Sequence, residues 1–203
     1  MSFMIAKCRV EINFLFVAVI AFLLLIDRSA VAGLGIVATV VHECGHIICM
    51  YLFSVPPAKV KFNPFGIDIV ENTGNKRSYR TDALIALAGP GANAFIFAVF
   101  LLLYLLIPNS YLYTFCVANG ALAVFNLLPI EPLDGGQTLY CLLCSKHSSA
   151  ASAKIVEIIS FLILLPLAAL GFLILLQSRY NFSLLLVSGY LMLLLLMKRG
   201  RYF

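Results

Sequence analysis

The chain is 203 residues long, 63% hydrophobic and only 11% charged, with a net charge of +5 and a mean hydropathy of +1.03. Soluble domains carry about 25% charged residues, so an ordinary water-soluble fold is excluded. The basic residues lie between apolar runs, where they orient a protein in a bilayer; the positive charge does not point to nucleic acid.

A helix that crosses a bilayer takes ~20 mostly apolar residues. Six stretches come close: 12–26, 30–53, 83–107, 111–128, 155–176 and 182–197. The first is not a cleaved signal peptide, because no small-residue cleavage site follows it and further apolar runs come after. The fold class expected is therefore all-α and polytopic, with about six transmembrane helices. Every Lys and Arg except Arg28 and Arg179 then falls on one side. The positive-inside rule places both termini in the cytoplasm.

The second stretch holds His42-Glu43-Cys44-Gly45-His46. On a helix, His42 and His46 lie four apart on one face, with Cβ atoms about 5–6 Å from each other, so two imidazoles can share one Zn2+. Glu43 lies one step round, placed to act as general base toward water. Ionisable groups within a hydrocarbon-length helix are costly and mark function. The alternative is a chance motif whose histidines bond to neighbouring helices.

Residues 54–82 form the longest connection. Pro56 and Pro57 stop the preceding helix. Lys59-Val60-Lys61-Phe62 and Ile67-Asp68-Ile69 alternate polar and apolar on either side of Asn63-Pro64-Phe65-Gly66. That pattern predicts a membrane-associated β-hairpin over 59–69, between spans 2 and 3.

A catalytic zinc usually has three protein ligands and an open position. The third candidate is Asp134, in Asn126-Leu-Leu-Pro-Ile-Glu131-Pro-Leu-Asp134-Gly-Gly. Pro129 and Pro132 break the fourth helix, and Gly135-Gly136 allow a sharp turn that points Asp134 back into the bundle. Glu131 competes; its alternative reading is a solvated loop acid at the membrane edge, which we prefer. Topology supports Asp134. Spans 2 and 4 run in the same direction, so the histidine pair and Asp134 reach the same cytoplasmic-side depth. An amide at Asn126 can donate to a developing oxyanion or equally bond helix to helix. Cys141, Cys144 and His147 have a metal-like spacing, but no second ligand pair is near in sequence, so they read as a helix with small apolar cysteines and a polar loop. The six cysteines show no disulfide framework.

Taken together, these motifs resemble the site-2 protease family of intramembrane zinc metalloproteases (peptidase family M50), closest to its sporulation branch, the stage IV sporulation protein FB type. HECGH is similar to the family's HExxH, residues 126–136 to its NxxPxxxLDGG, and Ala88-Gly89-Pro90-Gly91-Ala92-Asn93 to its AGPxxN segment. The resemblance implies one Zn2+ per chain on His42, His46 and Asp134, with Glu43 as base. It implies Asn126 near the substrate or oxyanion, and Phe65 as a hairpin aromatic near the cleft mouth, although a lipid- or core-facing Phe fits as well. Gly89, Gly91 and Asn93 read as helix-packing positions. The partners implied are the lipid bilayer and a membrane-embedded protein substrate, in that branch a sigma-factor precursor. Sporulation members commonly carry a C-terminal CBS domain. Six residues follow Met197, so a single domain over 1–203 is expected, with neither CBS nor PDZ domain. Gating then falls to a partner membrane protein, the substrate or the hairpin itself.

Two other classes compete. A metal-ion transporter would carry ionisable residues along several spans, and a catalytically inactive scaffold would have no need of His42, Glu43, His46 and Asp134 together.

Overall fold

The computed structural model describes residues 2–5, 8–27, 29–63, 66–70, 78–178 and 183–197. In chain order these form β1 (Ser2–Ile5), β2 (Cys8–Ile12), α1 (Phe14–Ile26), α2 (Val31–Leu52), β3 (Lys59–Asn63), β4 (Gly66–Val70), α3 (Tyr79–Leu106), α4 (Ser110–Asn126), α5 (Asp134–Cys144), α6 (Ser149–Ser178) and α7 (Ser183–Met197).

Among the described residues three helices, α2, α3 and α6, are long and apolar enough to cross a membrane, while α1 and α7 are shorter apolar helices. The 22 residues of α2 rise about 33 Å, enough for a hydrocarbon core of about 30 Å. The expectation of six full spans is thus met only in part. Helix α4 has 17 residues, and α1 has 13 because Ile12 belongs to β2 and the helix starts only at Phe14. The chain is a membrane protein by these helices. Its exterior is studded with large apolar side chains, such as Leu25, Leu52 and Leu106. Several of its most buried residues are polar: Asn93, Asn119, Ser152 and Ser160 are fully enclosed. That distribution suits hydrocarbon outside and a polar site within.

The fold is not purely helical. A four-stranded sheet runs in the order β1-β2-β3-β4. The expected hairpin is there, with β3 antiparallel to β4 and Lys61 opposite Asp68. Two further strands extend it: β2 lies parallel to β3, with Val10 opposite Val60, and β1 lies antiparallel to β2. Glu11 Oε1 accepts from Lys59 Nζ at 2.6 Å across the β2–β3 pair. The sheet meets the helices where Phe16 of α1 packs on Phe62, ring centroids 5.5 Å apart.

Helix starts follow local chemistry. Asn13 and Asn109 cap α1 and α4 by accepting from Leu15 N–H (3.0 Å) and Tyr111 N–H (2.8 Å). Ala30, at the start of α2, has a left-handed φ of 59° and no capping side chain. The carboxylate of Asp27 does that work from further back, accepting from Ala32 N–H at 2.7 Å and Gly33 N–H at 3.3 Å.

Candidate metal centre

The buried residues of α2 are Ala38, His42, His46 and Met50. They recur every four positions, so they form one stripe on the helix, and the histidines occupy its middle. This stripe faces α3 at very short range. A Cβ at Gly45 would lie 2.5 Å from Ala88 O, and a Cβ at Gly89 would lie 2.2 Å from His46 Nε2 and 2.8 Å from His42 Nε2. Gly89 therefore leaves the space into which both imidazoles project.

Asp134 arrives from the other side. Helix α4 stops at Asn126, and the chain folds back through Leu128 O accepting from Ile130 N–H (2.7 Å) and Ile130 O accepting from Leu133 N–H (2.7 Å). Asp134 then opens α5. Gly135 and Gly136 belong to the first turn of that helix and do not make a sharp turn of their own. They are required because a Cβ there would meet Leu127 O at 2.3 Å and Ile130 O at 2.5 Å.

The result is a tight triangle. Asp134 Oδ2 is 2.9 Å from His42 Nε2 and 3.4 Å from His46 Nε2. The two Nε2 atoms are 3.1 Å apart. Corners of a tetrahedron drawn ~2.0 Å around a zinc ion are ~3.3 Å apart, so the spacing suits such an ion.

Hydrogen bonding fixes what those atoms offer. Asn93 Nδ2 donates to Ala38 O at 3.0 Å and to Asn119 Oδ1 at 2.8 Å. Its Oδ1 therefore faces His42, and His42 Nδ1–H donates to it at 2.7 Å. His46 Nδ1–H donates to Ile85 O at 2.8 Å. In each neutral ring the proton sits on Nδ1 and the lone pair on Nε2. Two imidazole lone pairs and a carboxylate oxygen thus converge, and Asp134 Oδ2 is buried with no well-aligned donor. A shared cation satisfies all three, and two nitrogens with one oxygen is a donor set that suits zinc. Among the described residues, His42, His46 and Asp134 are the one group of three so placed.

The other expected residues fare differently. Glu43 is half-buried, on the same turn as His42. Asn126 is half-buried, and its Nδ2 donates to Leu122 O at 3.1 Å, a bond within its own helix and not between helices. Phe65 lies outside the described residues. Glu131 is not a solvated acid: it is 7% exposed, and its N–H donates to Ser160 Oγ at 2.8 Å. Helix α6 covers it, which a reading of the loop alone does not reveal. Cys141 and Cys144 are buried thiols outside any disulfide, His147 is exposed, and among the described residues the three form no ligand group. The residues missed as part of the site are Asn93 and Asn119. A lone amide in an apolar helix is the signal that marks them.

Two buried histidines, held by outer hydrogen bonds, and a carboxylate thus form a candidate metal centre among helices apolar enough to cross a membrane. Comparison with known proteins agrees. The model for peptidase family M50 matches residues 106–170. The fold superimposes on a site-2 protease from Methanocaldococcus jannaschii with a TM-score of 0.65, at 30% identity over 94% of this chain and 92% of that one. A zinc metalloprotease of the same organism is 31% identical over 161 residues, covering 75% of this chain and 44% of the relative. Stage IV sporulation protein FB of Bacillus subtilis is 33% identical over 105 residues, covering 50% of this chain and 36% of the relative. The chain spans less than half the length of these two curated relatives. It belongs to the site-2 protease family.

Proposed function

We propose that this chain is an intramembrane zinc endopeptidase. The observation that carries the reading is the convergence of His42 Nε2, His46 Nε2 and Asp134 Oδ2 to within 3.4 Å of one another, with both Nδ1 protons committed elsewhere. These three residues would hold one Zn2+ per chain. When bound, the ion supplies Lewis-acid polarisation of a scissile carbonyl and acidifies water.

The chain's own residues do the rest. Glu43 takes the proton of the attacking water on its carboxylate and returns it to the leaving amine. Asn126 acts as substrate or oxyanion donor once its Nδ2 leaves Leu122 O. Phe65 is the aromatic that the family resemblance offers for substrate contact. The substrate is a transmembrane or membrane-tethered protein segment that unwinds into an extended strand. Strand β3 is paired on both sides, so among the described strands of the hairpin β4 is the one with an edge left to receive such a strand. Likeness to a sporulation protein over half of this chain supports a substrate in sporulation, a sigma-factor precursor being the case the family resemblance suggests. Both termini and the metal centre lie toward the cytoplasm, on the distribution of Lys and Arg.

The test is metal and cleavage together. Purified protein should hold one zinc per chain and cut a transmembrane reporter, and a chelator should abolish the cut until zinc is restored. Cleavage that survives complete metal removal contradicts the reading.

A further inference from the structure

We propose that Asn119, whose side chain bonds to Asn93 and to Phe115 O, is a positioning residue for the metal centre and acts through Asn93. The proposal rests on the reading of His42 as a metal ligand.

Both amides are fully buried, on α3 and α4, in helices otherwise rich in apolar residues. The hydrogen bonds run in one direction. His42 Nδ1–H donates to Asn93 Oδ1 at 2.7 Å, Asn93 Nδ2 donates to Asn119 Oδ1 at 2.8 Å, and Asn119 Nδ2 donates to Phe115 O at 2.9 Å. The chain ends on a backbone carbonyl, which can only accept. That fixed end orients Asn119, Asn119 orients Asn93, and Asn93 orients the imidazole.

Reversal of any amide is penalised. If Asn93 turned over, its oxygen would face Ala38 O and Asn119 Oδ1, two acceptors now 3.0 and 2.8 Å from its nitrogen. It would also present N–H groups to His42 Nδ1, moving the ring proton to Nε2 and removing the lone pair from the metal centre. Asn119 supplies one of the two acceptors that prevent this. Bonds of this kind beyond a metal's ligands set ring tautomer and orientation. Successive bonds in a low-dielectric interior also strengthen one another. The relay ties α2, α3 and α4 to one ligand.

The experiment measures zinc affinity by competition with a chromogenic chelator, on full-length protein in detergent. Helix content and monodispersity serve as checks on folding. The variants are Asn119→Leu, Asn119→Asp, Asn93→Leu and the double Leu variant. Loss of such outer bonds typically weakens metal binding ~10–100-fold. Asn119→Leu should weaken zinc binding about 10-fold, at the lower end of that range. Asn119→Asp should stay close to the unmodified protein, because a buried carboxyl is driven to its protonated form and then offers the same C=O acceptor and one O–H donor. The double variant should bind no more weakly than Asn93→Leu, because Asn119 acts only through Asn93. If Asn93→Leu does not fold, the contrast between Leu and Asp at position 119 decides alone. Unchanged affinity in Asn119→Leu overturns the proposal, as does equal loss in Asn119→Asp or an additive double variant. Failure of the unmodified protein to bind zinc overturns the metal centre itself, and the relay with it.

Discussion

Gly89 stands directly against His46: a single added methyl carbon at position 89 would lie 2.2 Å from His46 Nε2. Two residues on, a methyl carbon added at Gly91 would meet nothing within 4 Å among the described residues. The two glycines of one Gly-Pro-Gly segment therefore make opposite demands. Gly89→Ala should displace an imidazole, with loss of bound zinc and of cleavage. Gly91→Ala should leave both unchanged. Metal analysis of the two purified variants separates them, and normal zinc content in Gly89→Ala would show that the rings adapt.

The two carboxylates of the 126–136 segment should also separate. Asp134→Ala removes an oxygen 2.9 Å from His42 Nε2 and should lower zinc content and activity together. Glu131→Ala should keep its zinc. It should still lower thermal stability, because Glu131 is 7% exposed and its backbone is tied to α6 through Ser160; truncating a buried group leaves its surroundings unfilled. The reverse result would move the ligand to Glu131.

Asp27 should make α2 sensitive to acid. The hydroxyl of Ser29, then the N–H groups of Ser29, Ala32 and Gly33, hold its carboxyl below the ordinary value of 3.8. A carboxyl lowered in the folded state stabilises fully above its unfolded value and loses that contribution as pH falls through the folded one. Thermal unfolding in detergent should therefore find Asp27→Asn less stable than the unmodified chain near neutral pH. The gap should close on acidification below pH 3.8. A gap that stays constant with pH would mean that the charge on Asp27 contributes nothing.

Orientation is tested by single cysteines placed at Lys61 and Lys146, in a background where the exposed Cys44 is replaced. A membrane-impermeant thiol reagent added from outside should miss both. Labelling at either position would reverse the assigned sidedness.

Much of the site was legible because its rules are local. Four-residue spacing put His42 and His46 on one face, and the proline break placed Asp134 beyond the end of α4. Other features depend on distant partners. Asn93 looks like a packing residue until His42, 51 positions earlier, is brought to it. Gly135 and Gly136 read as a turn, yet Leu127 O and Ile130 O press on them and favour a close-packed helix start. Strand β2 did carry a local signal: Arg9 and Glu11 alternate with Val10 and Ile12. It was masked by the apolar run that follows, which drew the first predicted span back to position 12. The fourth predicted stretch ends at 128, close to the end of α4 at Asn126; the difference from six full spans lies in length, since α1, α4 and α7 have 13, 17 and 15 residues.

The most direct test of a zinc-dependent endopeptidase is the paired measurement of metal content and cleavage in Glu43→Gln. Glutamine keeps the size of the side chain and loses its ability to take a proton. The variant should hold zinc at the level of the unmodified protein and fail to cut a transmembrane reporter, with a loss of at least ~100-fold, the lower end for a general base. Cleavage at the normal rate with zinc in place would contradict the assignment of Glu43 and the mechanism built on it.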